Sequence, residues 1–453
     1  MASTSSEPSH PVLFTTETPY PLPSQKFMIP ASWKRYQLSQ LVNKALSLSK
    51  PIPFDFLVRG EILRGSLGEW CAEKGIGEEE TLEIEYFESV MPPQKTSSLP
   101  HEDWVSAVSC QLPGHFLTAS YDGFLRVFDY SQKLLHASAA HQAPITSLCV
   151  VPAPSSSPSA STQLLITGSH DLTAHLTQLS IPDSGPDEEV HTRTLASLHL
   201  HTAAVSSVSS SASGSHVLTS SWDTLIGVWD TSIPTIDEVP LDESDRKKRR
   251  KVDDDAQRPR RKAPLTVLKS HTARVSKAVF DHGAGEKAYS CGFDSTVRTW
   301  DVENGVCAHT ITASSKPFLD LALTQSGNSA LAASTDRTVC QYDLRASTTS
   351  AITPSTATLA HPATPSCIVV PPPSSDSGPG AEHQLLTGAY DGVVRLWDLR
   401  SVKSAVTSFK AWEQAKAGRK VLSVDWARGI VGVGGEGGVE VWRVGHGERA
   451  LPS

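Results

Sequence analysis

Apolar and polar residues alternate in short runs along most of the chain, and the runs return in one frame. In Val393-Val394-Arg395-Leu396-Trp397 and its counterparts the alternation has the period of a half-buried strand. The clearest copy is Leu218-Thr219-Ser220-Ser221-Trp222-Asp223, followed by Thr224 to Trp229-Asp230: a strand, a tight acidic turn, and a second strand ending in an aromatic. The turn positions are Asp122, Asp171, Asp223, Asp294, Asp336, Asp391 and Glu436. Six residues after each stand Phe128, Thr177, Trp229, Trp300, Tyr342, Trp397 and Trp442, so only Thr177 breaks the aromatic rule. A histidine opens five of the copies, at His101, His141, His201, His271 and His361.

This repeat predicts a mainly β protein whose larger part, residues 101–453, is a seven-bladed WD-repeat β-propeller. One four-stranded blade has too little core of its own and must stack on its neighbours around a channel. Successive turns lie 42 to 71 residues apart, against roughly 40 to 45 for a bare repeat. The excess falls in segments of loop composition at 152–161, 182–189, 233–264 and 371–381. Within a blade, the histidine, the turn acid, a hydroxyl such as that of Thr219 or Ser221, and the tryptophan can form a chain of hydrogen bonds. Each bond contributes only about 0.5–1.5 kcal/mol net, and repetition makes it an organiser. These histidines and aspartates therefore read as structural. The strand that closes the seventh blade has two candidate sources, the segment before His101 and Val444 to Pro452.

Ahead of His101 the pattern changes. Strands are predicted at Val12 to Thr16, Lys26 to Ile29, Phe54 to Val58 and Leu82 to Tyr86, with helices at Leu38 to Leu46 and Ser66 to Lys74. The order β-β-α-β-α-β resembles a small α+β ubiquitin-like roll over residues 11–91. Residues 1–10 are expected to be disordered. Met91-Pro92-Pro93 opens an expected linker over 92–100, because consecutive prolines end regular structure.

A net charge of -8 over 453 residues gives the whole body no electrostatic reason to coat nucleic acid. Direct contact with RNA at a local patch stays open. The seven cysteines (Cys71, Cys110, Cys149, Cys291, Cys307, Cys340 and Cys367) form no CxxC pair, which argues against a disulfide framework or a zinc site. They read as reduced thiols of an intracellular protein. Residues 1–10 lack the apolar core of a signal peptide, and no run reaches the roughly 18 apolar residues of a membrane span. There is no GxxxxGK[ST], GxSxG or HExxH motif. Gly434-Gly435-Glu436-Gly437-Gly438 falls on a repeat turn. The protein is expected to be no enzyme and to hold no cofactor of its own.

Two charged features stand outside the repeat. Arg246-Lys247-Lys248-Arg249-Arg250-Lys251, followed by Arg258-Pro259-Arg260-Arg261-Lys262, lies in the charged insertion at 233–264. Such a run repels itself and buries no apolar surface, so it reads as a nuclear localisation signal on a solvated loop. Glu78-Glu79-Glu80 precedes the last strand of the N-terminal domain. A carboxylate on a rigid domain can complete the shell of a magnesium ion held by another protein, since that hard cation prefers oxygen.

Lys34-Arg35-Tyr36-Gln37-Leu38-Ser39, Pro51 to Leu57, Gly60 to Arg64, Glu83 to Tyr86 and Glu102-Asp103-Trp104-Val105-Ser106 carry a resemblance over essentially the whole chain. They are similar to the eukaryotic ribosome-biogenesis WD-repeat family that partners the pescadillo and block-of-proliferation proteins. The resemblance implies a scaffold for maturation of large-subunit (60S) rRNAs, located in the nucleus, nucleolus and nucleoplasm. It implies that the propeller binds the propeller of the block-of-proliferation protein, with pescadillo in the same complex on the pre-60S particle. It also implies that the ubiquitin-like domain is engaged by the AAA ATPase midasin, which strips the complex off the particle. The family's metal-reaching glutamate maps to Glu79, or to Glu78 or Glu80 if the register slips. The competing class is a WD-repeat substrate adaptor of a ubiquitin-ligase or chromatin complex. Conjugation itself is excluded, because the domain runs on through Met91-Pro92-Pro93 instead of ending in Gly-Gly.

Overall fold

The computed structural model of the chain describes residues 8–48, 50–153, 162–182, 190–240, 258–283, 285–312, 316–345, 355–372, 381–413 and 418–445. In the N-terminal part, β1 (Ser9–Thr15) pairs antiparallel with β2 (Lys26–Pro30), and α1 spans Arg35–Leu46. β3 (Phe54–Val58) turns into the short β4 (Glu61–Ile62), and α2 (Leu67–Lys74) leads to β5 (Leu82–Glu88). The sheet order is β2-β1-β5-β3-β4, with β1 parallel to β5, as in a ubiquitin-like roll. Alternation in β1 turns Val12 and Phe14 inward, onto Phe54, Phe56, Tyr86 and the helix residues Leu38 and Val42. Ser66 and Glu69 cap α2 reciprocally, Ser66 N donating to Glu69 Oε2 at 2.8 Å and Glu69 N to Ser66 Oγ at 3.2 Å. Gly75, at φ 67°, ends the helix in the left-handed conformation. β1 begins at Ser9, inside the stretch expected to be irregular, because its edge pairs with β2 from that residue on.

Beyond it, seven further sheets follow one another. The first blade is typical: β7 (Val105–Ser109), β8 (His115–Ser120), β9 (Phe124–Asp129) and β10 (Leu134–Ala139) run antiparallel from the channel outward. Small apolar cores lie between adjacent blades; Val105 and Val108 of the first pack with Ile430 and Val439 of the last. Hydroxyls on the innermost strands tie five blade pairs together. Ser106 Oγ donates to Ile145 O at 2.6 Å, and Thr146, Ser206, Ser276 and Ser366 repeat the bond at 2.6–2.7 Å. Where leucine takes that place, after Phe318 and after Val421, carboxylates substitute: Asp320 accepts from Ile368 N at 2.6 Å, and Asp425 from Cys110 N at 2.7 Å.

Two expected loops are strands. Residues 92–100, read as a linker, contain β6 (Gln94–Leu99), which pairs antiparallel with Gly438–Arg443 and is the fourth strand of the seventh blade. β5 has already ended at Glu88 when the prolines at 92 and 93 come, and the open edge of a three-stranded last blade captures the six residues after them. The closing strand is therefore the segment before His101 and not the one after Val444. Likewise Arg260–Lys262, assigned to the solvated insertion, is a fifth strand running parallel to His191–His199 on the second blade. Lys262 is buried there because its Nζ pairs with Asp230 and with Ser232 O. The run Arg246 to Lys251 lies outside the described residues.

Candidate interaction sites

The repeat residues assemble into polar chains of unequal completeness. In the third blade Trp229 Nε1 donates to Thr219 Oγ1 at 2.9 Å, Thr219 bonds His201 Nε2 at 2.8 Å, and His201 Nδ1 meets Asp223 Oδ2 at 3.0 Å. The fourth blade repeats this with Trp300, Ser290, His271 and Asp294 at 2.7, 2.7 and 2.8 Å. Each hydroxyl accepts from the indole and bonds the imidazole at Nε2, and the other ring nitrogen, Nδ1, meets the carboxylate. Burial raises the Asp294 and Asp223 carboxyls, but the bonds from His271 and His201 and the backbone outweigh it and hold both below their ordinary values.

Elsewhere the chain is broken, each time for a local reason. In the first and sixth blades Arg126 and Arg395, four residues after the turn, occupy Asp122 and Asp391 at 2.5 and 2.6 Å. His101 and His361 lie instead 3.0 and 3.1 Å from Leu99 O and Leu359 O. In the second blade Thr177 cannot supply an indole, and His175 stacks on His141 with ring centroids 4.0 Å apart. Burial raises the Asp171 carboxyl, yet the bonds from His141 and Thr173 bring it down to about 2. The fifth blade has no opening histidine, and among the described residues the Asp336 side chain accepts only from Thr338. In the seventh, Trp442 Nε1 donates to Glu440 at 3.2 Å. Ser221, the other hydroxyl considered for the chain, caps the turn through Asp223 N at 3.2 Å.

The acidic turn lies between α2 and β5, with Glu78, Glu79 and Glu80 all exposed. It is fastened on both sides. Glu80 pairs with Arg59 of the β3–β4 hairpin, and Lys26 Nζ donates to Thr81 Oγ1 at 3.1 Å. Glu80 thus has a cation, whereas Glu78 and Glu79 have no ion-pair partner among the described residues.

The ubiquitin-like domain rests on the connection between the third and fourth strands of the sixth blade, a contact not visible in the repeat pattern. Arg400 is its centre: it bonds Glu85 Oε1 at 2.6 Å and Asp398 Oδ2 at 2.8 Å, and lies 4.7 Å over the Phe87 ring. Ile62 N donates to Ser401 Oγ at 3.2 Å, Lys403 pairs with Glu61, and Met91 N donates to Gly445 O at 3.2 Å. Glu17, Glu382 and His383 bring three possible metal ligands within 4.8 Å at the same junction. The Arg400 guanidinium, 3.9 Å from Glu17, competes for that carboxylate.

Comparison with known proteins fits this architecture. Residues 11–71 match the NLE (NUC135) domain, and 93–129, 192–230, 262–301 and 355–398 match the WD domain, G-beta repeat. The chain is 62% identical to ribosome biogenesis protein YTM1 of Laccaria bicolor over 445 residues, covering 97% of this chain and 96% of the relative. It belongs to the YTM1 family of ribosome biogenesis proteins. The Coprinopsis cinerea member is 56% identical over 98% of this chain and 96% of its own length. The Saccharomyces cerevisiae member is 32% identical over 91% of this chain and 92% of its own. Within this family member, the matched repeats end on the first, third, fourth and sixth blades. The second, fifth and seventh blades, which carry Thr177, lack an opening histidine, and carry a turn glutamate respectively, have their turns outside those matches.

Proposed function

We propose that the protein is a non-catalytic assembly factor of the large (60S) ribosomal subunit. It acts as a scaffold in the complex with pescadillo and the block-of-proliferation protein, needed for maturation of large-subunit rRNAs. The propeller grips the block-of-proliferation propeller on the pre-60S particle, and midasin releases the complex by pulling on the ubiquitin-like domain. Arg246 to Lys251 direct the chain to the nucleus, for work in nucleolus and nucleoplasm. The observation that carries the release step is the acidic turn. A carboxylate that donates to a magnesium ion in another protein must be exposed, free of its own cation and held still. Glu79 has all three properties, and Glu80, already paired with Arg59, lacks the second. The turn is coupled to the propeller through the same hairpin, where Arg59 holds Glu80 and Gly60 lies against Arg400 O.

The test is binding of the full chain to the isolated metal-binding domain of midasin, with magnesium and with chelator. Glu79→Ala should weaken the magnesium-dependent binding by a factor of roughly 100, in the range for truncating one partner of a buried charged contact. Glu80→Ala should change it less than tenfold. Unaltered binding by Glu79→Ala would remove midasin engagement through this residue from the reading.

A further inference from the structure

The strand that closes the propeller is also the strand next in the chain to the ubiquitin-like domain. β5 ends at Glu88 and β6 begins at Gln94, so residues 89–93 alone join the domain to the fourth strand of the seventh blade. Ser89 N donates to Pro53 O at 2.8 Å and Arg35 Nη2 to Ser89 Oγ at 2.6 Å, which ties the start of this connection to the domain. β6 is a weak strand. Gln94-Lys95-Thr96-Ser97-Ser98-Leu99 has one apolar residue, and only Ser97 and Leu99 are buried. It lies at a sheet edge, paired on one side with Gly438–Arg443 through a ladder whose register shifts between Val441 and Trp442. Lys95 adds an ion pair with Glu440. Yet Leu99 packs with Val105, Val108, Val439 and Val441 in the cluster between the last blade and the first. β6 therefore fastens the end of the repeat to its beginning.

The strand on the other side of the connection is held differently. β5 lies inside its sheet, parallel to β1 on one edge and antiparallel to β3 on the other, with Leu82, Ile84 and Tyr86 fully buried. Glu79 stands three residues before it, so a pull at Glu79 runs along β5 and loads both ladders together. Both must give before β5 moves, whereas β6 has a single ladder and one buried apolar side chain. A second load path runs beside the chain. Arg400 bonds Glu85 of β5 at 2.6 Å and is anchored by Asp398 at 2.8 Å. Ile62 N donates to Ser401 Oγ, Arg64 to Ala405 O, and Lys403 pairs with Glu61. All of these contacts reach residues 398–405 of the sixth blade. While they hold, force on the domain enters that blade and β6 carries none of it. They are polar and partly exposed, and such contacts give way before a packed apolar core does.

We propose that β6 is a force-triggered release element: a sustained pull on the ubiquitin-like domain breaks the Arg400 dock, then draws β6 out of the seventh blade and opens the propeller ring. The domain's own sheet yields only later. This rests on the reading that a remodelling ATPase pulls on the ubiquitin-like domain, though not on which ATPase it is. A partner that grips the closed ring loses part of that surface when the seventh blade comes apart. The pull is thereby spent on release and not on unfolding the handle.

The experiment holds the full chain in an optical trap by click-reactive amino acids placed at Glu79 and at Glu303, an exposed position on the fourth blade. The next anchor after β6 is His101, bonded to Thr118 at 2.8 Å. Under rising force a short dock event should come first, followed by a step that frees residues 89–100, about 40 Å of chain at about 3.3–3.6 Å per residue. Arg400→Glu should abolish the first event and shift the second to lower force. Gln94 faces Arg443 at the loaded end of β6. In the double variant Gln94→Cys with Arg443→Cys, the second step should vanish once the two thiols are oxidised to a disulfide and return with reductant, a reversal that a folding defect would not give. A step that survives the oxidised cross-link, or an Arg400→Glu trace identical to the parent's, would overturn the proposal. If the trap records the stated order while Glu79→Ala still binds the midasin domain normally, the release element stands and another protein pulls on it. If Glu79→Ala loses that binding but β6 stays in place under load, midasin engagement stands and the release element is wrong.

Discussion

The two regions of this molecule put the same chemical group to opposite uses. In the propeller the turn carboxylates are taken up internally: the Asp223 and Asp294 side chains are 5% and 3% exposed, each bonded to a histidine and to backbone N–H groups. In the ubiquitin-like domain the packing is apolar, one cluster around Phe14, Phe54, Phe56 and Tyr86, and the turn acids Glu78 and Glu79 stand outside it, exposed. A large single core needs no polar bracing. Thin cores between blades do, because each buries too few side chains to define its geometry alone. What a carboxylate does here is therefore read from what already satisfies it.

The strongest way to break this comparison is to remove the indole that anchors a complete chain. Trp229 is fully buried and donates to Thr219. Trp229→Ala should cost about 3–5 kcal/mol by the usual scale for large-to-small core changes, read as a fall in the denaturant midpoint. Trp442 is only partly buried and donates within its own strand, to Glu440. Trp442→Ala should cost less than half as much. Equal losses would show that the polar chain adds nothing to blade stability.

A second test uses protons. Burial, reinforced by the neighbouring His141, lowers His175 to about 4, and burial lowers His361 to about 4. An unfolded chain protonates histidine near 6.5, so between pH 6.5 and 4 it binds protons that the folded chain refuses. Stability should fall as pH drops through that window, by up to about 3 kcal/mol for each of the two groups. Asp171, at about 2, works over a lower range: its contribution is present above about pH 4 and is lost as pH falls toward 2. Urea midpoints at several pH values check this. His361→Gln should flatten the dependence between pH 6.5 and 4; an unchanged slope would assign it to other groups.

Legibility differed between the regions for the same physical reason. The seven turns, the blade count and both helices were readable because strand alternation, capping and turn chemistry act over a few residues. β6 and the strand Arg260–Lys262 were not, since each exists only because a distant edge needed a partner. Likewise, the rank of acids at 78–80 could not reveal that Glu80 is the paired one, held by Arg59 of the β3–β4 hairpin. Arg400 carried no sequence signal at all, as its partners Glu85 and Phe87 lie more than 300 residues away.

The smallest expected effect is the most discriminating. If the acids at the tip of the ubiquitin-like domain serve only a partner, removing one should leave the fold alone. Glu79 is exposed and has no ion-pair partner among the described residues, so Glu79→Ala should shift stability by no more than about 0.5 kcal/mol. Relief of repulsion from Glu78 and Glu80 pushes that small number toward stabilisation. Asp223→Ala, removing a carboxylate bonded to His201 and to two backbone N–H groups, should cost about 1–3 kcal/mol. Measured side by side by denaturant unfolding, the two substitutions separate a carboxylate that holds its own fold from one held ready for another molecule. A loss at Glu79 as large as that at Asp223 would mean that the acidic turn is structural, and the contrast between the regions would collapse.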